Sequence, residues 1–181
     1  NPRIPPSINT ARAAETSVDA TVNVTIARHQ KSSKHIVCKD DTDCWAFYID
    51  SDSDVNFQHS TNGGASWGGT GTDIKAGTYE GLAVWYDRWT PGDTTGNYIH
   101  IAHIDTSDTA PDRIWYTRFN TADDTFSTPL DASGAAEGVL ASANDVAITK
   151  GTDGDLYVGT VDATAPSSGA SFIEKCPNGT D

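Results

Sequence analysis

The residues best equipped for chemistry are Trp85-Tyr86-Asp87-Arg88-Trp89, the densest run of aromatic and charged side chains in the sequence. Sugars dock on aromatic faces while carboxylates and guanidinium groups bond their hydroxyls. Trp85, Asp87, Arg88 and Trp89 are therefore read as a carbohydrate platform, with Trp115, Tyr116 and Arg118 as a second. Ordinary packing is the competing reading. Alternate residues of a strand point inward, so Trp85 or Tyr86 must be core, and Arg88 has Asp87 and Asp93 nearby as ion-pair partners. Burial is the commoner use of such rings.

Asp50-Ser51-Asp52-Ser53-Asp54 has the alternating oxygens that begin a calcium loop, and hard cations take several carboxylate oxygens at that spacing. It lacks the following Gly and the distal Glu of an EF-hand, and Val55 opens a strand at once. A solvated turn is the favoured reading, with a calcium site at Asp50, Asp52 and Asp54 as the alternative; no other metal or cofactor is expected. Asp40, Asp41 and Asp43 make another acidic turn, suited to keeping a sheet edge soluble and unpaired. Cys38 and Cys44 flank that turn on strands that would face one another, which predicts a cross-hairpin disulfide and an oxidising compartment, with Cys176 left over. Asn23-Val24-Thr25 and Asn178-Gly179-Thr180 are sequons, glycan acceptors at Asn23 and Asn178 in a suitable secretory host. His100 and His103 would project to opposite faces of an alternating strand, a poor two-His metal site, and His29, His35 and His59 show no ligand spacing. Neither a phosphate-binding Gly loop before a helix nor a Gly-x-Ser-x-Gly elbow is present.

Charge narrows the partners. With 25 Asp+Glu against 12 Lys+Arg the net charge is −13, and an acidic body repels the phosphate polymer that a nucleic-acid binder must attract. Only 36% of residues are hydrophobic, in runs far shorter than the roughly 20 apolar residues of a membrane span. The sequence has no Met and no apolar leader, which is expected of a processed chain or part of a longer product. The charge is also uneven: residues 1–39 carry six Lys/Arg and two acids, +4, and the remainder six and 23, −17. Residues 1–44 hold no Phe, Trp or Tyr and so can bury little area alone. Pro2, Pro5 and Pro6 fix an extended start, and Val22, Val24 and Ile26 alternate with polar residues as one strand. Residues 1–30 are read as a basic arm whose strand joins a sheet of this chain or the edge of a neighbour's.

What must position these residues is a repeat. Trp45-Ala46-Phe47-Tyr48-Ile49-Asp50, His100-Ile101-Ala102-His103-Ile104-Asp105 and Tyr157-Val158-Gly159-Thr160-Val161-Asp162 are alternating strands whose closing aspartates are 55 and 57 residues apart. Each is preceded by an apolar stretch (His35–Cys38, Leu82–Tyr86, Val146–Thr149) and followed by another (Val55–His59, Arg113–Phe119, Ser171–Lys175), with turn residues between. Helical periodicity is almost absent. Small antiparallel sheets that cannot bury both faces alone are what propeller blades look like in sequence; a two-sheet sandwich is the alternative.

Ser60-Thr61-Asn62-Gly63-Gly64-Ala65-Ser66-Trp67 resembles the Asp-box, or bacterial neuraminidase repeat, of the sialidase-like β-propeller superfamily. The resemblance implies a structural hairpin: Asn62 bonds back to turn amides, Gly64 takes a positive φ, and Trp67 packs beneath, with Ser60 and Ser66 completing the box. Asn120–Phe126 is a degenerate copy, and Cys176–Asp181 begins another. Family members that hydrolyse sialosides bind the substrate carboxylate through three arginines, the first from an Arg-Ile-Pro motif. Arg3-Ile4-Pro5 matches it, with Asn1-Pro2 where an aromatic normally precedes, so Arg3 is a candidate carboxylate ligand whose other reading is an extended arm. The remaining catalytic set of that family has no match here.

The expected fold is all-β: about three antiparallel propeller-type blades (31–76, 77–140 and 141–181), the ring incomplete or completed by further sequence or other chains, behind an arm at 1–30. The expected function is an extracellular, cell-surface or virion-surface module contacting glycans or neighbouring subunits as an adhesion or assembly scaffold, with homo-oligomerisation through the arm. The alternatives are the N-terminal part of a sialidase-type glycoside hydrolase, or a purely structural subunit of a filament or shell.

Overall fold

The computed structural model describes residues 17–18, 35–68, 71–106, 113–133, 143–162 and 171–176. Nearly all of the arm, with Arg3 and Asn23, and the sequon residue Asn178 lie outside the described residues. The fold is all-β. Short alternating segments, broken by Asp, Gly and Ser turns, form three antiparallel sheets. The first has the order β1 (Ile36–Cys38), β2 (Cys44–Ile49), β3 (Val55–Ser60), β4 (Thr72–Lys75). The second runs β5 (Tyr79–Tyr86), β6 (Tyr98–Asp105), β7 (Arg113–Asn120), β8 (Thr125–Phe126), and β9 (Leu130–Asp131) also pairs with β7. The third is β10 (Ala143–Lys150), β11 (Leu156–Asp162), β12 (Ser171–Cys176). The three copies of the repeated phrase are β2, β6 and β11, the second strand of each sheet.

The sheets stack face to face, as propeller blades do. Alternation assigns the faces: Trp45, Phe47 and Ile49 of β2 and Val55 and Phe57 of β3 share one core with Leu82, Val84 and Tyr86 of β5, Ile99 and Ile101 of β6, and Phe119 of β7. Phe119 reaches into the first sheet edge-on, its ring centroid 4.7 Å from Phe57, 5.5 Å from Phe47 and 6.3 Å from Trp45. Burying a ring of this size contributes roughly 2–3 kcal/mol. A polar clamp closes the same interface. Asp124, in the β7–β8 turn, accepts from Trp45 Nε1 at 2.8 Å and lies 2.9 Å from His59 Nδ1, while the His59 ring stacks on Trp45 at 4.4 Å.

The opposite face of the second sheet is built differently. Ala83 and Ala102 stand side by side there, and these small residues leave room for β10, which packs across β5 and β6. Val146 and Ile148 of β10, with Leu156 and Val158 of β11, complete this second core with Ile104, Ile114 and Tyr116. Lys150 is next in the same alternation, so the inward face of β10 ends in a charge rather than a third aliphatic side chain.

Candidate functional site

That lysine finds its partner at the end of β5. After Tyr86 the chain enters a 3-10 turn, Asp87–Trp89, whose Thr90 N–H donates to the Asp87 carbonyl at 2.8 Å. The Asp87 side chain turns inward and is only 3% exposed. Gly96, across the hairpin, permits this: a Cβ there would overlap Asp87 Cβ. The Tyr98 amide donates to Asp87 Oδ2 at 3.0 Å. Asp87 Oδ1 is shared between Lys150 Nζ at 2.6 Å and His100 Nε2 at 2.9 Å.

Strand register brings in the rest. Trp85, His100 and Arg118 are direct cross-strand neighbours on β5, β6 and β7, and Tyr116 precedes Arg118 by two residues on the same face. His100 is buried, with its Nδ1 2.7 Å from the Tyr116 hydroxyl. Burial works to raise the Asp87 pKa, but the hydrogen bonds from His100, Lys150 and the Tyr98 amide outweigh it and hold the carboxyl well below its ordinary range. An ionised Asp87 accepts only, so in the neutral ring the proton belongs on Nε2 and Nδ1 accepts from the Tyr116 O–H. The His100 pKa is itself lowered, chiefly by burial; Asp87 opposes the shift, and the charges of Lys150 and Arg118 add to it. The result is a hydrogen-bonded relay, Asp87 to His100 to Tyr116, all three of its side chains buried. Six basic residues occur beyond residue 39, and two of them, Arg118 and Lys150, flank this relay.

The carbohydrate platform expected from the sequence is only partly brought together. The Trp85 and Trp89 rings meet edge to face at 5.9 Å, both half-buried, with Trp85 Nε1 donating to Thr90 Oγ1 at 3.0 Å. Tyr86 is the fully buried member of the pair. Arg88 donates from Nε to the Gly96 carbonyl at 2.9 Å and from Nη2 to Asn97 Oδ1 at 3.2 Å, rather than to the carboxylates expected for it. Asp87 faces the relay instead of the surface. Of the second expected group, Tyr116 and Arg118 share the relay face, with the Arg118 guanidinium 4.7 Å from the ring centre of the exposed Tyr98. Trp115 points the other way, under Lys75 Nζ at 4.3 Å.

The remaining expected positions are elsewhere. Cys38 and Cys44 are directly opposed and disulfide-bonded, and Cys176 is a free thiol. In the Ser60–Trp67 turn, the Asn62 side-chain oxygen accepts from the Ser66 amide at 2.9 Å and Ser60 Oγ accepts from the Gly64 amide at 2.8 Å. Gly64 has φ +83° and the Trp67 ring lies against it. In the acidic turn, Asp50 and Asp54 gather with Asp73 of β4, not with Asp52, to place three carboxylate oxygens within 4.8 Å of one another. Those are the donors a hard cation takes. The Asn56 side chain already bridges Asp50 Oδ2 and Asp73 Oδ1, at 2.9 Å each.

No family model matches the chain, so the Asp-box resemblance has no support from that side, and no curated protein matches it. Among solved structures it is similar to an ulvan lyase, from a new family of polysaccharide lyase, bound to a -[GlcA(1-4)Rha3S]- fragment. The TM-score is 0.51 and the identity 10%, over 78% of this chain and 40% of that one. The chain thus spans less than half the length of that lyase, and at this identity the likeness is one of fold.

Proposed function

We propose that this chain is part of a carbohydrate-active β-propeller that cleaves an acidic, uronate-containing polysaccharide by β-elimination, with Tyr116 as the proton carrier. The observation that carries the reading is the buried relay from Asp87 through His100 to the Tyr116 hydroxyl. Tyr116 is only 6% exposed, so the substrate must first displace what covers its ring; Tyr116 then passes its proton to His100 Nδ1, and the phenolate removes the proton on the carbon next to the substrate carboxylate. The bond from the adjacent carbon to the glycosidic oxygen breaks, a carbon–carbon double bond forms, and the departing oxygen takes a proton back from Tyr116. Arg118, on the same face as Tyr116, supplies local positive charge for a polyanion in a protein whose net charge is −13. The ulvan lyase likeness supports a glycan as ligand, and the Cys38–Cys44 bond supports an oxidising, extracellular setting. Among the described residues no helix is long and apolar enough to cross a membrane.

The test incubates the protein with ulvan and other uronate-containing polysaccharides and follows the ultraviolet absorbance of the new double bond. Tyr116→Phe is expected to lower the rate by ~10²–10⁴-fold while the fold is kept. Binding without any unsaturated product would leave a glycan-contacting scaffold and refute the lyase reading. Full turnover by Tyr116→Phe would refute the role of Tyr116.

A further inference from the structure

We propose that Lys150, reaching over from the third sheet, is a positioning residue that keeps His100 neutral and so leaves its Nδ1 free to take the Tyr116 proton; this rests on the reading of Tyr116 given above. The geometry makes the case. Lys150 Nζ and His100 Nε2 share a single carboxylate oxygen, Asp87 Oδ1, and Asp87 is almost wholly buried. A buried carboxylate facing only a histidine favours the imidazolium, because the pair is then neutral. Both ring nitrogens would then carry hydrogens, Nδ1–H would point at the Tyr116 oxygen, and the phenol could not give up its proton. With Lys150 present the carboxylate is already balanced, and a charge on the ring would be a second, uncompensated one. Arg118, beside His100 on β7, acts in the same sense. The groups facing the ring are Asp87 from the end of β5, Tyr116 and Arg118 from β7, and Lys150 from β10. Of these, Lys150 alone belongs to the neighbouring sheet, so docking of the two sheets sets the protonation state of the relay.

The experiment is a pH titration of the His100 ring nitrogens by nitrogen-15 NMR in the whole chain, wild type against Lys150→Met. The wild-type ring is expected to remain neutral with its proton on Nε2 through mildly acidic pH. In Lys150→Met the midpoint is expected to rise by ~1 unit or more, and in Lys150→Arg to stay near wild type. His103 resonances in the same spectra report whether the fold is intact. If Lys150→Met does not fold, Lys150→Gln, which keeps a donor without the charge, is expected to show the same rise. A His100 titration that ignores the loss of the charge in the folded variant overturns the proposal. The two readings fail separately: a shifted His100 in a protein that makes no unsaturated product removes the lyase reading and keeps the role of Lys150. An active lyase with an unmoved His100 does the reverse.

Discussion

His103 should make this protein acid-sensitive by an amount that can be worked out. Its side chain lies in the core between the first two sheets, 0% exposed, with Nε2 3.3 Å from Thr117 Oγ1 and the edge of Tyr79 at 4.9 Å. Its Nδ1 has no hydrogen-bond partner among the described residues. Burial, helped by the Lys75 charge and opposed by Asp105, lowers its pKa from 6.5 to about 3. The unfolded chain therefore takes up a proton below pH 6.5 that the folded chain refuses until about pH 3. Stability from this group is complete above the upper value and falls by ~1.4 kcal/mol per pH unit between the two. The loss is about 3 kcal/mol by pH 4.5, about 4 kcal/mol at pH 3, and levels off at about 5 kcal/mol below that. His100 adds a change of the same sign, so the contribution is isolated with His103→Leu, whose altered packing costs the same at every pH. Urea unfolding at pH 7 and pH 4.5 should show a difference about 3 kcal/mol smaller in the variant than in the wild type. Parallel pH dependences in the two proteins would refute the argument.

Two further perturbations test the first sheet. Gly63 has φ +68°, and a Cβ there would stand 2.5 Å from the Asp41 carbonyl oxygen, so Gly63→Ala should cost ~1–3 kcal/mol in a denaturant melt; unchanged stability would contradict the turn geometry. Replacing both Cys38 and Cys44 by Ser opens a crosslink between residues six apart and should cost about 2 kcal/mol. Reduction of the wild type should give the same loss, and no loss on either route would mean that the bond does not constrain the unfolded chain.

Much of the fold was readable because period-two alternation is a local signal. Val55–His59, Arg113–Phe119 and Ser171–Lys175 stand out by alternation and become β3, β7 and β12. The short outer strands β8 and β9, two residues each, carry no period to detect, and β4 reads as Thr-Asp-Ile-Lys with a single buried position. The relay was hidden for a different reason. Asp87, His100, Tyr116 and Lys150 are up to 63 residues apart, and their meeting depends on register within one sheet and docking between two. Part of the signal was available: a hairpin spanning Trp85 and His100 sets them opposite one another, and Tyr116 and Arg118 then fall on the same face. The inward turn of Asp87 was not legible, since it depends on the room left by Gly96 across the hairpin. A sequence of alternating aromatics and charges suggests a surface for sugars where the structure has a largely buried network.

Strand β6 carries His100 toward one neighbour and His103 toward the other, with both rings sealed from water. Such a strand behaves like a two-sided key. Sliding it by one residue would exchange what each side presents, sending a relay nitrogen into an aromatic core and an aliphatic group into the relay. Length changes in this molecule must therefore fall outside β6, because any frame shift inside it would break the hydrogen-bonded relay and the packing in a single stroke.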